Sequence, residues 1–326
     1  MSAARETARS PRMRAAGLAL AAGALSWLFL AVALPGTGDG AGALYWIQTA
    51  AIWALAAALV STLARLADAD RRWGKAAALA APLVFGATLL FLWEAVARGA
   101  QIPPVLLPPP SMIFERLVAS PAILWADFQQ TFLKSVLIGY ALGCGSAFLA
   151  ALVIDRSEFL QRGLLPVGNF VAALPIVGVA PIMVMWFGFD WPSKAAVVVV
   201  MVFFPMLVNT VEGLKAADRM QRDLMRTWAA TPRQTLWRLR LPMAAPFIFN
   251  GLKIASTLAL IGAIVAEFFG TPTVGMGFRI STEVGRMNVD MVWAEIAVAA
   301  VAGSAFYGVA SLAERWVTFW HPSQRL

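Results

Sequence analysis

Residues 247–269 read FIFNGLKIASTLALIGAIVAEFF, a run in which only Lys253 and Glu267 carry charge. At about 1.5 Å of rise per residue, a helix of this length crosses the roughly 30 Å of hydrocarbon in a bilayer. A helix also satisfies its backbone hydrogen bonds internally, which lipid demands. Working outward, comparable runs occupy residues 15–34, 43–63, 76–96, 132–154, 164–187, 195–211 and 292–312. The whole chain is 60% hydrophobic and 13% charged. Soluble domains carry roughly 25% charged residues, so an ordinary soluble globule is excluded. Disorder is excluded too, because disordered chains are poor in apolar residues. The expected fold is an all-α integral membrane protein with about 8 transmembrane helices.

Loop charge gives the orientation. Arg5, Arg9, Arg12 and Arg14 precede the first run, and Arg65, Arg71, Arg72 and Lys75 lie on the same side after two crossings. Arg156 and Arg162 follow there, then seven basic residues between 212 and 246, then Arg315 and Arg325. That side holds 19 Lys and Arg; the other holds 5, namely Arg98, Arg116, Lys194, Arg279 and Arg286. Cytoplasmic loops carry the basic excess, so both termini are expected in the cytoplasm, as an even number of spans requires. Lys134 and Lys253 fall within span ends and are expected to snorkel. Trp46, Trp93, Trp186, Trp191, Trp293 and Trp316 lie near predicted span ends, as in an interfacial belt. The net charge of +8 therefore reports topology, with no nucleic-acid partner expected. The first run is longer than the 7–15 residues of a signal peptide's apolar region and is read as an uncleaved anchor.

Residues 1–75 read as a two-span extension, closed by a charged connector, and 76–326 as a six-span core. A Pro-rich stretch at 101–110 leads to Ser111, the expected N-cap of a short helix with Ile113, Phe114, Leu117 and Val118 on one face. Pro166, Pro175 and Pro181 crowd the fifth run and predict a bent or broken helix. Gly139 and Gly143 are spaced for close helix approach. Two polar residues stand out in the spans: Glu267, read as a hydrated acid or a gating residue, and Asn209, read as a helix-to-helix hydrogen bond. One cysteine, Cys144, leaves nothing for an intrachain disulfide, and one histidine, His321, makes a histidine-based metal or acid–base centre improbable. No metal site and no catalytic residue are expected.

The inside loop from 212 to 246 contains LKAADRMQRDLMRTWAATPRQTLWRLRLPMAAP. Its spacing predicts two short amphipathic helices broken at Pro232, with Thr231 as cap. Such a loop suits anionic lipid or a soluble partner. Here the sequence resembles the permease subunits of type I ABC importers, whose ATPase-docking loop carries E-A-A-x3-G-x11-L-P. Leu241 and Pro242 match the terminal L-P, Ala229 stands at the glycine, and Asp223-Leu224-Met225 replaces E-A-A. With alanine in the glycine's place, Ala230-Thr231-Pro232 is read as the source of the bend. LPPPSMIFERL, PIVGVAPIMVMWFGFDWPSK, FFPMLVNTVEGLKAAD and LIGAIVAEFFGTPTVGMGF are also similar to blocks of that family, closest to its nitrate, sulfonate and taurine branch.

The resemblance implies a permease core with the type-1 transmembrane domain at about 128–312 and the docking loop at 212–246. It further implies a bacterial inner-membrane importer for a small solute, a cytosolic ATPase dimer, a second permease chain and an extracytoplasmic solute-binding protein. Contact with the ATPase falls to Asp223, Ala229, Ala230, Thr231, Pro232 and Arg233, and Trp228 and Trp237 are expected as packing anchors. Pro175, Pro181, Asn209 and Glu267 are candidates for the translocation path or its gating. No G-x-x-x-x-G-K-[ST] phosphate loop occurs, since Gly74-Lys75 precedes alanine, so ATP would be used by the partner and no cofactor by this chain. The alternative is an ion-gradient-driven transporter, a class marked by several mid-membrane acids or paired broken helices.

Overall fold

A computed structural model describes residues 42–69, 74–157, 175–270 and 273–320, with isolated positions at 15–16, 18–19, 22–23, 159–160 and 163. Most of these residues are helical, and no strand occurs among them. The chain divides into two compact units, residues 1–118 with 287–290, and residues 119–286 with 291–326. Six of the described helices are long and apolar enough to cross a membrane. The expected span at 15–34 falls almost wholly outside the described residues, as does the first half of the span at 164–187.

In the first unit, α1 (Ala43–Ala69) and α2 (Gly74–Gly99) form a hairpin, with the Tyr45 hydroxyl donating to the Ala95 carbonyl at 2.7 Å. The short helix α3 (Pro110–Ala119) begins one residue before its expected cap. Proline suits a first helical position because its missing N–H has no partner there. Ser111 is not the N-cap. Its N–H and hydroxyl donate to the Glu94 carboxylate at 2.9 and 2.8 Å, so an acid from α2 does the capping.

The second unit contains α4 (Pro121–Ile154), α5 (Ile176–Phe187), α6 (Trp191–Lys215), α7 (Arg219–Thr227), α8 (Pro232–Glu267), α9 (Met276–Gly285) and most of α10 (Val289–Val317). Its core lies where α4, α6 and α8 meet, filled by Val136, Ala147, Val198, Leu207, Ala255 and Ala259. Small residues let these backbones approach. A Cβ on Gly139 would stand 2.6 Å from Val198 Cβ and 2.7 Å from the Ala195 carbonyl oxygen, and one on Gly143 would collide with Val202. Asn209 takes the helix-to-helix role expected of it, its Oδ1 accepting from Asn250 on α8 at 3.0 Å.

Three expectations change. Lys253 does not snorkel; it pairs with Glu314 of α10 at 2.7 Å, and both side chains are largely buried. Helix α4 begins at Pro121, well before residue 132, and passes through a π-helical stretch, Gln129–Val136, whose polar side chains Gln129, Gln130 and Thr131 lie outside the expected apolar run. The short helix expected to begin at Pro232 does begin there, but it does not end within the loop: as α8 it runs through a π turn, Leu236–Arg240, into the long apolar segment. That turn immediately precedes Leu241-Pro242. Proline has no N–H to give four residues back, and a π turn absorbs the missing bond.

Candidate functional site

The loop between α6 and α8 is built from local capping. Asp218 accepts from the Arg219 N–H at 2.6 Å while Gln221 reaches back to the Asp218 N–H at 3.0 Å, which starts α7. At the other end, the Ala229 N–H reaches the Arg226 carbonyl at 2.9 Å and the Ala230 N–H reaches Met225 at 3.0 Å. These two bonds form a Schellman cap, whose C′ residue must be left-handed. Ala229 holds that place with φ of 52°. The expectation that Ala230-Thr231-Pro232 supplies the bend is therefore corrected: Ala229 makes it, at the position where the importer motif has glycine. Thr231 then caps α8 as expected, accepting from Gln234 at 3.3 Å while Gln234 accepts from the Thr231 N–H at 2.8 Å.

The result is a helix–turn–helix capped at each end, with an open surface. No residue of α7 is buried. Asp223 is exposed and pairs with Arg226 at 3.2 Å, and Pro232 and Arg233 are exposed in the first turn of α8. Ala230 is half-buried beneath the turn, and Leu241 and Pro242 continue α8 beyond its π turn. Trp228 and Trp237, the expected anchors, are 75% and 63% exposed, so within this chain they anchor nothing. Arg219, Arg222, Arg226, Arg233 and Arg238 are exposed beside them. The surface joins guanidinium groups to aromatic faces, the residue types that dominate protein interfaces.

At the far end of α8 the polar side chains converge. Glu267 is buried, not solvent-exposed at the membrane edge as a hydrated acid would be. The Thr131 hydroxyl lies 2.8 and 2.9 Å from its two oxygens, and the Gly277 N–H donates to it at 2.8 Å. Thr131 accepts in turn from the Met276 N–H at 2.8 Å. Asp127, fully buried on α4, accepts from the Gly275 N–H at 2.6 Å and from Arg279 Nε at 2.8 Å. The first N–H groups of a helix have no partner within it. Those of α9 are thus taken by three side chains from two spans, and the turn after α8 is latched to α4. Lys194, also buried, donates to the carbonyls of Phe189 and Gly270.

Next to this latch, Asp190 caps α6 by accepting from the Trp191 N–H at 2.8 Å, and Gln130 donates to the same oxygen at 2.8 Å. The Trp191 N–H first, and then Gln130, hold the Asp190 carboxyl below its usual range. Pro175 stands at the N-cap of α5 and Pro181 within it, and that helix stays unbroken across Pro181. Sequence reasoning missed Asp127, Thr131, Lys194 and Arg279. An acid and a threonine four residues apart, hence on one helical face, were the available signal for the first two.

Comparison with known proteins agrees with this architecture. The pattern described as binding-protein-dependent transport system inner membrane component matches residues 139–320. A probable ABC transporter permease protein of Haemophilus influenzae is 31% identical over 217 residues, 67% of this chain and 88% of that protein. The formylaminopyrimidine transport permease protein ThiX of Halalkalibacterium halodurans is 32% identical, covering 74% of this chain and 96% of its own length. The taurine transport system permease protein TauC of Escherichia coli is 29% identical, with coverages of 72% and 87%. The chain belongs to the binding-protein-dependent transport system inner membrane component family, the multi-pass permeases of ABC transporters.

Proposed function

We propose that this chain forms half of the pore of an ATP-driven importer, with two permease copies docked on two cytosolic ATPases through the 212–246 loop. A solute-binding protein delivers the cargo from outside, both termini lie in the cytoplasm, and the membrane is a bacterial inner membrane. The observation that carries this reading is the loop itself. It is braced at both ends by capping boxes and a Schellman cap, yet no residue of α7 is buried. A stiff element with an exposed basic and aromatic face transmits motion, whereas a lipid-resting loop would need no such bracing. ATP binding closes the ATPases, α7 follows, and α8 carries the shift to the spans.

The cargo is a small solute of the sulfonate, nitrate or taurine kind. Named relatives include permeases for taurine and for formylaminopyrimidine, so selection falls chiefly to the separate binding protein. Asn209 and Glu267 act by holding helices in one of two arrangements, and Pro175 and Pro181 shape α5 at the path. In cells expressing the full system, uptake of labelled taurine and an aliphatic sulfonate would be followed under ATP depletion or with an ionophore. Uptake is expected to stop with ATP and survive collapse of the ion gradient. Uptake that stops with the gradient alone means a secondary transporter, and uptake of neither probe rejects taurine and sulfonates as cargo.

A further inference from the structure

Of the basic residues in the loop, Arg240 alone among Arg219, Arg222, Arg226, Arg233, Arg238 and itself turns inward. Its guanidinium grips Asp155 with both prongs, Nη1 to Oδ2 at 2.7 Å and Nη2 to Oδ1 at 2.6 Å. Nε and Nη2 also donate to the Leu214 carbonyl at 3.1 and 3.0 Å. Side-chain exposures are 22% for Arg240 and 7% for Asp155, so solvent competes little for the pair. The partners stand at structurally meaningful places. Asp155 is the C-cap of α4, and Leu214 lies in the last turn of α6, where carbonyls lack helical partners and a cation is favoured. One side chain therefore joins the ends of α4 and α6 to the start of α8.

Arg240 also closes the π turn Leu236–Arg240, just before Pro242. A π turn beside a proline is where a helix bends most readily. Without a tie at that point, displacement of α7 would be absorbed as bending and would not reach the core.

We propose that Arg240 is the positioning residue that makes the docking loop move α4 and α6 together. The inference rests on the proposed coupling of this loop to an ATPase. Arginine is suited to the task because its planar fork fixes direction as well as distance, which a lysine ammonium does not.

The test uses the full chain with its co-purified ATPase, and compares amide exchange with and without ATP plus vanadate. Wild type is expected to show a nucleotide-dependent change at the cytosolic ends of both α4 and α6. Arg240→Gln and Arg240→Lys keep the ATPase bound, because the exposed face is untouched. In them that change falls at least about five-fold at α4 and α6 and persists in α7. A merely structural tie would raise exchange in the resting state and leave the nucleotide-dependent difference intact, and that result overturns the proposal. Should the Arg240 variants not fold, Asp155→Asn, which breaks the fork from its other side, is read in the same way. A wild-type chain that binds ATPase without any change at α4 or α6 also refutes the clamp. A wild-type chain that binds no ATPase refutes the proposed function instead.

Discussion

At Ala229 the backbone takes a φ of 52°, a conformation that brings Cβ against the carbonyl oxygen at about 1–2 kcal/mol for an L residue. Glycine adopts it freely. Ala229→Gly is therefore expected to slow amide exchange at Ala229 and Ala230, whose N–H groups close the cap, and Ala229→Val to hasten it. Equal exchange in all three proteins would contradict a strained turn. Glu267 makes a second residue-scale case. Its removal as Glu267→Ala orphans the buried Thr131 hydroxyl and the Gly277 N–H, each costing about 1–3 kcal/mol. Glu267→Gln keeps the bulk and one acceptor. Thermal unfolding in detergent should then rank wild type above glutamine and glutamine above alanine; an alanine variant as stable as wild type rejects the latch. The acid itself was plain in the sequence, as a charge in an apolar run. Its partners were not, because Thr131 lies 136 residues away and hydrogen bonds of that range leave no periodicity.

The helices were legible where apolar length alone decides them and obscure where polar residues enter them. Helices α1, α2, α6 and α10 contain their predicted spans, since lipid requires about 20 apolar residues whatever else they do. The start of α4 was hidden by Asp127, Gln130 and Thr131, which interrupt the apolar run before residue 132 until α9 supplies the N–H groups that Asp127 and Thr131 satisfy. The start of α8 was legible in Thr231 and Pro232, whereas its unbroken run through Leu236–Arg240 into the apolar span was obscured by the arginines between them. Packing between elements gives the sharper test. Gly139→Leu has no room against Val198 and Ala195 of α6, whereas a Cβ on Gly145 of the same helix meets nothing within 4 Å. Overpacking of this kind costs about 1–3 kcal/mol. Folded yield and thermal stability should fall for Gly139→Leu and hold for Gly145→Leu. Equal loss in both would mean that α4 and α6 do not pack through the glycine face.

For the molecule as a whole, composition fixed the class and the importer-like blocks pointed to the family to which the chain belongs. What the sequence could not display is how the loop is capped and tied to the spans. The degenerate motif suggested a bend made by Ala230-Thr231-Pro232, but Ala229 keeps the Schellman geometry, and the inward Arg240 ties the loop to helix ends 85 and 26 residues away. The central claim is that this loop couples the permease to a separate ATPase. It is tested most directly by tagging the full chain, extracting it gently from its own membrane and measuring what co-purifies and in what ratio. The account predicts a P-loop ATPase at one copy per permease chain, lost from the Ala230→Arg variant while that variant still inserts. A stable, monodisperse permease without an ATPase, or an ATPase retained in full by Ala230→Arg, would contradict it.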